Sequence, residues 1–276
     1  MTLAVMTATP SSTEISDLTT FAEELADLSG KAILPHFREK ILIHNKLGEG
    51  GFDPVTEADR EAERVIRARI KLRFPSHGVM GEEYGHETGT SPYTWVVDPV
   101  DGTRAFMCGM AQWGTLIALN DGERPIVGVL DQPYTRERWV ASNGHTRFRH
   151  AHGETLSLKT RPCSNLKEAV LSTTSPVGYF SDAEQKAFWA LSAQARLTRF
   201  GGDCYAYGLL AMGFIDVIVE STLQPWDIQA LIPIIENAGG VVTTWDGGPA
   251  QDGGRVVACG DAKLHAAVLE ALSGTA

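Results

Sequence analysis

The sequence has no CxxC pair, and its four cysteines, Cys108, Cys163, Cys204 and Cys259, are scattered over 276 residues. That scatter argues against a disulfide framework or a zinc site and for buried, reduced thiols in a cytoplasmic protein. No apolar run approaches the ~20 residues needed to span a bilayer. The opening stretch "MTLAVMTATPSST" lacks a basic leader and a long apolar core, so a loose tail is expected rather than a signal peptide. Positive charge is in short supply as well, with 24 Lys and Arg against 34 Asp and Glu and a formal net charge of −10. Neither nucleic acid nor an anionic membrane would be attracted to such a surface. An anionic substrate would need something other than bulk charge to hold it. There are no internal repeats and no low-complexity tract.

What remains is an ordinary globular composition, 43% hydrophobic, able to bury a sizeable core as one large domain or two intimate subdomains. Ile15, Leu18, Ala22, Leu25 and Leu28 recur at helical spacing, predicting a long amphipathic helix from Ser12 to about Phe37. A second helix is expected to open at Thr56, where Thr56 and Asp59 have capping-box spacing, and to stop at Pro75. The intervening "LGEGGFDP" reads as a mobile loop and not as a dinucleotide fingerprint, because no strand leads into it and no helix opens from its glycines. Short strands are expected near 78–81 and 94–98, followed by an antiparallel meander from Trp113 to about Phe148. From about Lys167, strand and helix patterns alternate: "AVLSTT", "AEQKAFWALSAQA", "CYAYGLLAM", "FIDVIVE", "DIQALIPIIENAGG", "GVVTT", "RVVACG" and "AKLHAAVLEAL". The expected division is residues 12–155, an antiparallel-sheet half, and 156–273, an α/β half. His145, His150 and His152 sit in the polar run "NGHTRFRHAHGE", which reads as an exposed hairpin rather than a metal site.

The chemistry is carried by "WVVDPVDGTRAFMCG", residues 95–109, in which Asp98 and Asp101 follow an apolar strand pattern. Asp-Pro and Asp-Gly are also ordinary turn signals. Other acids punctuate element ends: Asp53 and Asp59 in "FDPVTEADR", Glu82 and Glu83 in "GVMGEEYG", Asp227 in "QPWDIQA". Singly, each has a plain reading as a helix-dipole partner or a solvated loop acid. Together they sit where α/β proteins build sites, and gathered carboxylates repel unless a cation neutralises them. Oxygen donors without His or Cys select a hard ion, Mg²⁺ before Ca²⁺ or Mn²⁺. The amides of Gly102 and Thr103, opening a turn or helix after Asp101, supply a phosphate cradle.

In their order and spacing, "DPVTEAD", "GEE", "DPVDGT" and "PWD" resemble the inositol monophosphatase-like family of Mg²⁺-dependent phosphatases, over nearly the whole chain. The resemblance implies a mixed α/β fold, a layered α-β-α-β-α sandwich of the inositol monophosphatase/fructose-bisphosphatase type. It implies that Glu82, Asp98 and the Val100 carbonyl hold one Mg²⁺, that Asp98, Asp101 and Asp227 hold a second, and that Asp59 with Glu82 attends a third, weaker ion. Glu82 and Thr103 would orient the attacking water, and Gly102 and Thr103 would bind phosphate. Glu83 and Asp53 match structural roles. A homodimer is implied too.

Two departures from the inositol enzymes resemble the histidinol-phosphatase branch: Arg104 and Ala105 after "DGT", and Asp203, Tyr205 and Tyr207 in "GGDCYAYGLLAM", where the inositol enzymes carry small residues. Histidinol phosphate brings an ammonium and an imidazole, which Asp203 and Glu220 would meet by charge-assisted hydrogen bonds. Tyr205 or Trp113 would stack on the ring. The alternative for Asp203 is a cap on the helix that follows it. The expected reaction is hydrolysis of histidinol phosphate, the alternative that of inositol monophosphate or small phosphate esters generally.

Overall fold

The computed structural model describes residues 10–39, 43–45 and 54–273. Asp53 and nearly all of the loop expected at 47–54 lie outside them. Helix α1 (Ser12–Ile33) starts on a capping box between Ser11 and Glu14 and buries Leu18, Phe21, Ala22 and Leu25 along one stripe. It stops short of Phe37. Pro35 has no N–H to offer the Lys31 carbonyl, so the α-helical ladder ends and Leu34–His36 tighten into a 3₁₀ turn. After the short pair β1 (Ile43–Asn45) and β2 (Pro54–Thr56), helix α2 (Glu57–Arg73) opens on the expected Thr56–Asp59 capping box.

Strands β3 (Gly78–Gly81), β4 (Gly85–Glu87), β5 (Thr94–Asp101), β6 (Gly114–Asn120), β7 (Pro125–Gln132), β8 (Glu137–Ser142), β9 (His145–Arg149) and β10 (Thr155–Ser157) form one sheet, ordered β10-β9-β8-β7-β6-β5-β3-β4. Only the β3–β5 pair is parallel; the rest is the expected meander and its flanks. The five-residue helix α3 (Thr103–Met107) follows β5. The second half supplies β11 (Val170–Thr173), α4 (Pro176–Tyr179), α5 (Asp182–Ser192), β12 (Leu197–Phe200), α6 (Asp203–Ala211) and β13 (Val217–Leu223). It continues through α7 (Pro225–Ile228), α8 (Leu231–Glu236), β14 (Val241–Thr244), β15 (Gly254–Cys259) and α9 (Ala262–Ser273). Its strands make a mixed sheet ordered β12-β11-β13-β15-β14.

Side-chain alternation fixes the layers. Trp95, Val97, Ile117 and Leu119 point to α1 and α2, whereas Val96, Leu116, Ala118 and Leu130 point the other way. That second face packs with α6, α7 and α8 in a core that also contains Ile218, Val256 and Ala258 of the five-stranded sheet. The outer face of that sheet buries Val217, Val219 and Val257 against Phe188 and Leu191 of α5 and Leu264 and Val268 of α9. The result is the α-β-α-β-α sandwich.

The run "DIQALIPIIENAGG" reads as one helix but folds as the end of α7 and then α8. Pro233 has no N–H to offer the Gln229 carbonyl, so the helix breaks at 229–230 and restarts. Cys163, Cys204 and Cys259 are buried thiols, but Cys108 is exposed, one turn beyond the motif it follows. Among the described residues no helix is long and apolar enough to cross a membrane.

Candidate active site

Strand β5 does not end at Asp98, as its turn-like sequence suggests. It runs on to Asp101 through a bulge: Asp98 pairs with Leu116 and Asp101 with Gly114, leaving Pro99 and Val100 opposite Thr115 alone. Asp98 lies two residues beyond Val96 and so faces the central helices, where α7 packs on β5 and brings in Asp227. The bulge is tied down from behind. Thr115 Oγ1 donates to the Pro99 carbonyl at 2.8 Å, and Ser29 Oγ of α1 lies 2.9 Å from that hydroxyl.

One carboxylate oxygen each from Asp98, Asp101 and Asp227 lies within 4.8 Å of the others. Each acid is also fastened locally. Asp98 Oδ1 accepts from the Val100 amide at 3.0 Å, and Asp227 Oδ2 accepts from the Gln224 amide at 2.7 Å. Asp59 Oδ2 accepts from the Thr56 amide at 2.9 Å, while its Oδ1 is buried with no hydrogen-bond partner among the described residues. Glu82 is half-buried at the turn between β3 and β4, close enough for its charge to act on Asp59, Asp98, Asp101 and Asp227.

Burial, reinforced by these mutual charges, pushes Asp59 up to about 6 and Asp101 up to about 7, and holds Asp98 and Asp227 well above the ordinary carboxylate range. An all-oxygen donor set with an orphaned buried oxygen, unable to ionise together at neutral pH, fits hard divalent cations: they supply the missing charge. The His145–His152 turn does not join this group. His150 and His152 lie against each other, ring centroids 5.0 Å apart, on the far hairpin.

Gly102 connects the cluster to α3. Its φ of 90° is open to glycine, and a Cβ there would press on the Gln112 carbonyl and on Asp203. Thr103 follows as the first helical residue, and its hydroxyl donates to the Val100 carbonyl at 3.1 Å. The guanidinium of Arg104, next along, lies 4.7 Å over the ring of Tyr179 in α4.

The second half closes over the cluster through α6. One of its first amides is capped from the other half of the protein by Asp101, whose Oδ2 accepts from Cys204 N at 2.6 Å. No side-chain cap hydrogen bond comes from the N-cap position of α6, Gly202, and Asp203 is the helix's first residue. It sits at φ 42°, a left-handed conformation uncommon outside glycine but open to Asp more than to most residues. Burial and the neighbouring Glu220 push its carboxyl up to about 7, opposed by Arg104. Glu220 is buried and accepts from Thr173 Oγ1, Thr174 N and Thr174 Oγ1 at 3.1, 2.6 and 2.9 Å; burial raises it to about 7.

Two aromatic residues are placed elsewhere. Tyr205 packs edge-on against Trp139, 5.4 Å away, and donates to Glu137 at 2.7 Å. Trp113 is buried among Phe37 and Phe106. Tyr179 and Tyr207 stand nearer. Tyr179 is under Arg104, and the buried Tyr207 hydroxyl, which has no hydrogen-bond partner among the described residues, feels Glu220, Asp101 and Asp227. Tyr207 stands out in the sequence as a bulky residue in "CYAYG", but nothing local marks Tyr179 as part of a site.

The same order of motifs and layers recurs in known proteins. Residues 14–275 match the inositol monophosphatase family. A chloroplastic bifunctional phosphatase of Arabidopsis thaliana is 41% identical over 95% of this chain and 77% of its own length. The histidinol-phosphatase of Mycobacterium tuberculosis is 35% identical over 80% of this chain and 85% of its own. Among solved structures, an inositol monophosphatase from Zymomonas mobilis superimposes with a TM-score of 0.82 at 39% identity, covering 94% of this chain and 98% of that one. With the fold, the acidic cluster and a match over almost the full chain in agreement, this protein belongs to the inositol monophosphatase family of phosphatases.

Proposed function

We propose that this phosphatase hydrolyses L-histidinol phosphate to L-histidinol and phosphate. The observation that carries the reading is the placement of Asp203: a carboxylate at the start of α6, beside the acidic cluster, near Glu220 and Arg104, and held in a left-handed backbone. A phosphate ester of a neutral polyol offers that charge only hydroxyl hydrogen bonds. An ammonium or imidazolium group gains a charge-assisted hydrogen bond from it. The histidinol-phosphatases among its relatives support the same substrate.

Glu82, Asp98 and the Val100 carbonyl are assigned to one Mg²⁺, Asp98, Asp101 and Asp227 to a second, and Asp59 with Glu82 to a third, weaker ion. Bound there, such ions polarise the phosphoryl oxygens and acidify a water. Glu82 and Thr103 orient the attacking water. The amides of Gly102 and Thr103 bind the phosphate at the start of α3. Asp203, with Arg104 and Glu220 around it, receives the cationic end of the substrate. Glu220, committed to three hydrogen bonds, acts mainly by its charge.

Inositol phosphate is the second reading, favoured by the 39% identity to the Zymomonas inositol monophosphatase. Initial rates on histidinol phosphate, inositol phosphates, fructose bisphosphate and adenosine bisphosphate, with Mg²⁺ and with chelator, separate them. Histidinol phosphate should give the highest kcat/KM, lost reversibly on chelation. A higher kcat/KM for inositol phosphate would replace the first reading by the second, and undiminished turnover in chelator would remove the metal assignments.

A further inference from the structure

Glu63 lies one turn after Asp59 on α2 and is completely buried, yet no role in binding or turnover falls to it. A buried carboxylate is costly unless its oxygens are used. Both are. Oε2 accepts from the Glu83 amide at 2.7 Å, and Oε1 accepts from the Tyr84 amide at 3.2 Å and from Arg67 Nε at 2.7 Å. Arg67, itself buried, sends its Nη2 to the Gly85 carbonyl. The clamped residues are those of the turn that carries Glu82: Gly81 pairs with Gly85 across β3 and β4, with Glu82, Glu83 and Tyr84 between them.

The turn and the strand after it meet α2 elsewhere too: the Tyr84 hydroxyl donates to the Arg60 carbonyl at 3.4 Å, and Glu87 pairs with Lys71 at 2.8 Å. Strand β4 is exposed throughout and forms the edge of its sheet. The fit at Gly81 is close, since a Cβ there would overlap the Glu63 carboxylate, so helix and turn are in direct contact. Asp59 and Glu63 thus act from one helix on one site, four residues apart on the same face.

Resting on the metal assignments above, we propose that Glu63 is a positioning residue, which with Arg67 holds the Glu82 turn in place so that Glu82 meets the cations bound by the acidic cluster. Partners of this indirect kind typically alter metal affinity by about 10–100-fold when removed.

The test is Mn²⁺ binding to the full chain, followed by electron paramagnetic resonance of the free ion, alongside the melting temperature in chelator. Glu63→Gln should raise the Mn²⁺ dissociation constant by about 10–100-fold. Wild-type affinity in a Glu63→Gln protein that melts earlier would overturn the proposal, leaving Glu63 as a clamp for the hairpin alone. Should that variant not fold, Arg67→Lys takes its place: it keeps the charge beside Glu63 but not the fork that also reaches Gly85. A smaller rise in the dissociation constant supports positioning, and none overturns it. Absence of Mn²⁺ binding to the wild-type protein would instead remove the metal assignments themselves, and the proposal with them.

Discussion

Asp101 of the eight-stranded sheet accepts a hydrogen bond from the Cys204 amide at the start of α6, at 2.6 Å, across 103 positions of sequence. One carboxylate therefore belongs to the acidic cluster and caps a helix of the other half of the protein. The two duties separate by substitution. Asparagine keeps an oxygen for the Cys204 amide but removes the charge; alanine removes both.

Asp101→Asn should lose activity yet be at least as stable as wild type when metal-free, because it relieves repulsion among buried acids. Asp101→Ala should be less stable than Asp101→Asn by ~1 kcal/mol, the usual worth of a helix cap. Chemical denaturation in chelator measures the difference. Equal stabilities would mean that the hydrogen bond to Cys204 contributes nothing.

Stability of the metal-free protein should fall as pH rises between about 4 and 7. Asp59, Asp101 and Asp203 are raised from 3.8 to about 6, 7 and 7 by burial and neighbouring carboxylates, so in this window the folded state binds more protons than the unfolded state. His77 works in the opposite sense. It accepts from Trp95 Nε1 at 3.1 Å, and burial lowers it to about 4, so its contribution is lost as pH falls. Comparing Mg²⁺-loaded with metal-free protein isolates the cluster: the rise in melting temperature on adding Mg²⁺ should be larger at pH 8 than at pH 5.5. A rise independent of pH would show that the cation does not replace protons on these carboxylates.

Tyr205→Phe should cost roughly 0.5–1.5 kcal/mol of stability, the net value of one hydrogen bond, through loss of the contact with Glu137. Its kcat/KM should equal that of wild type. A selective loss of kcat/KM on histidinol phosphate would return Tyr205 to the substrate site.

The metal-site candidates were legible because they cluster in short motifs at element ends, and the Thr56–Asp59 box could be read from its three-residue spacing. The helix breaks at Pro35 and Pro233 followed from residues visible in the sequence, although the expected helices ran through them. Long-range contacts were not legible. Nothing near Asp101 announces Cys204, Glu63 looks like one more acid on a charged helix, and the side of α6 that Tyr205 occupies depends on Trp139 of β8. Strand β12, "LTRF", is an exposed edge strand and carries no apolar alternation to mark it in the sequence.

The substrate reading is tested most directly by the kcat/KM of Asp203→Asn on two esters, histidinol phosphate and the neutral glycerol 2-phosphate. Loss of one charge-assisted hydrogen bond, ~1.5–3 kcal/mol, should lower kcat/KM for histidinol phosphate by roughly 10- to 150-fold while leaving the neutral ester nearly unchanged. Equal losses on both esters would contradict a role for Asp203 in recognising the cationic end of the substrate.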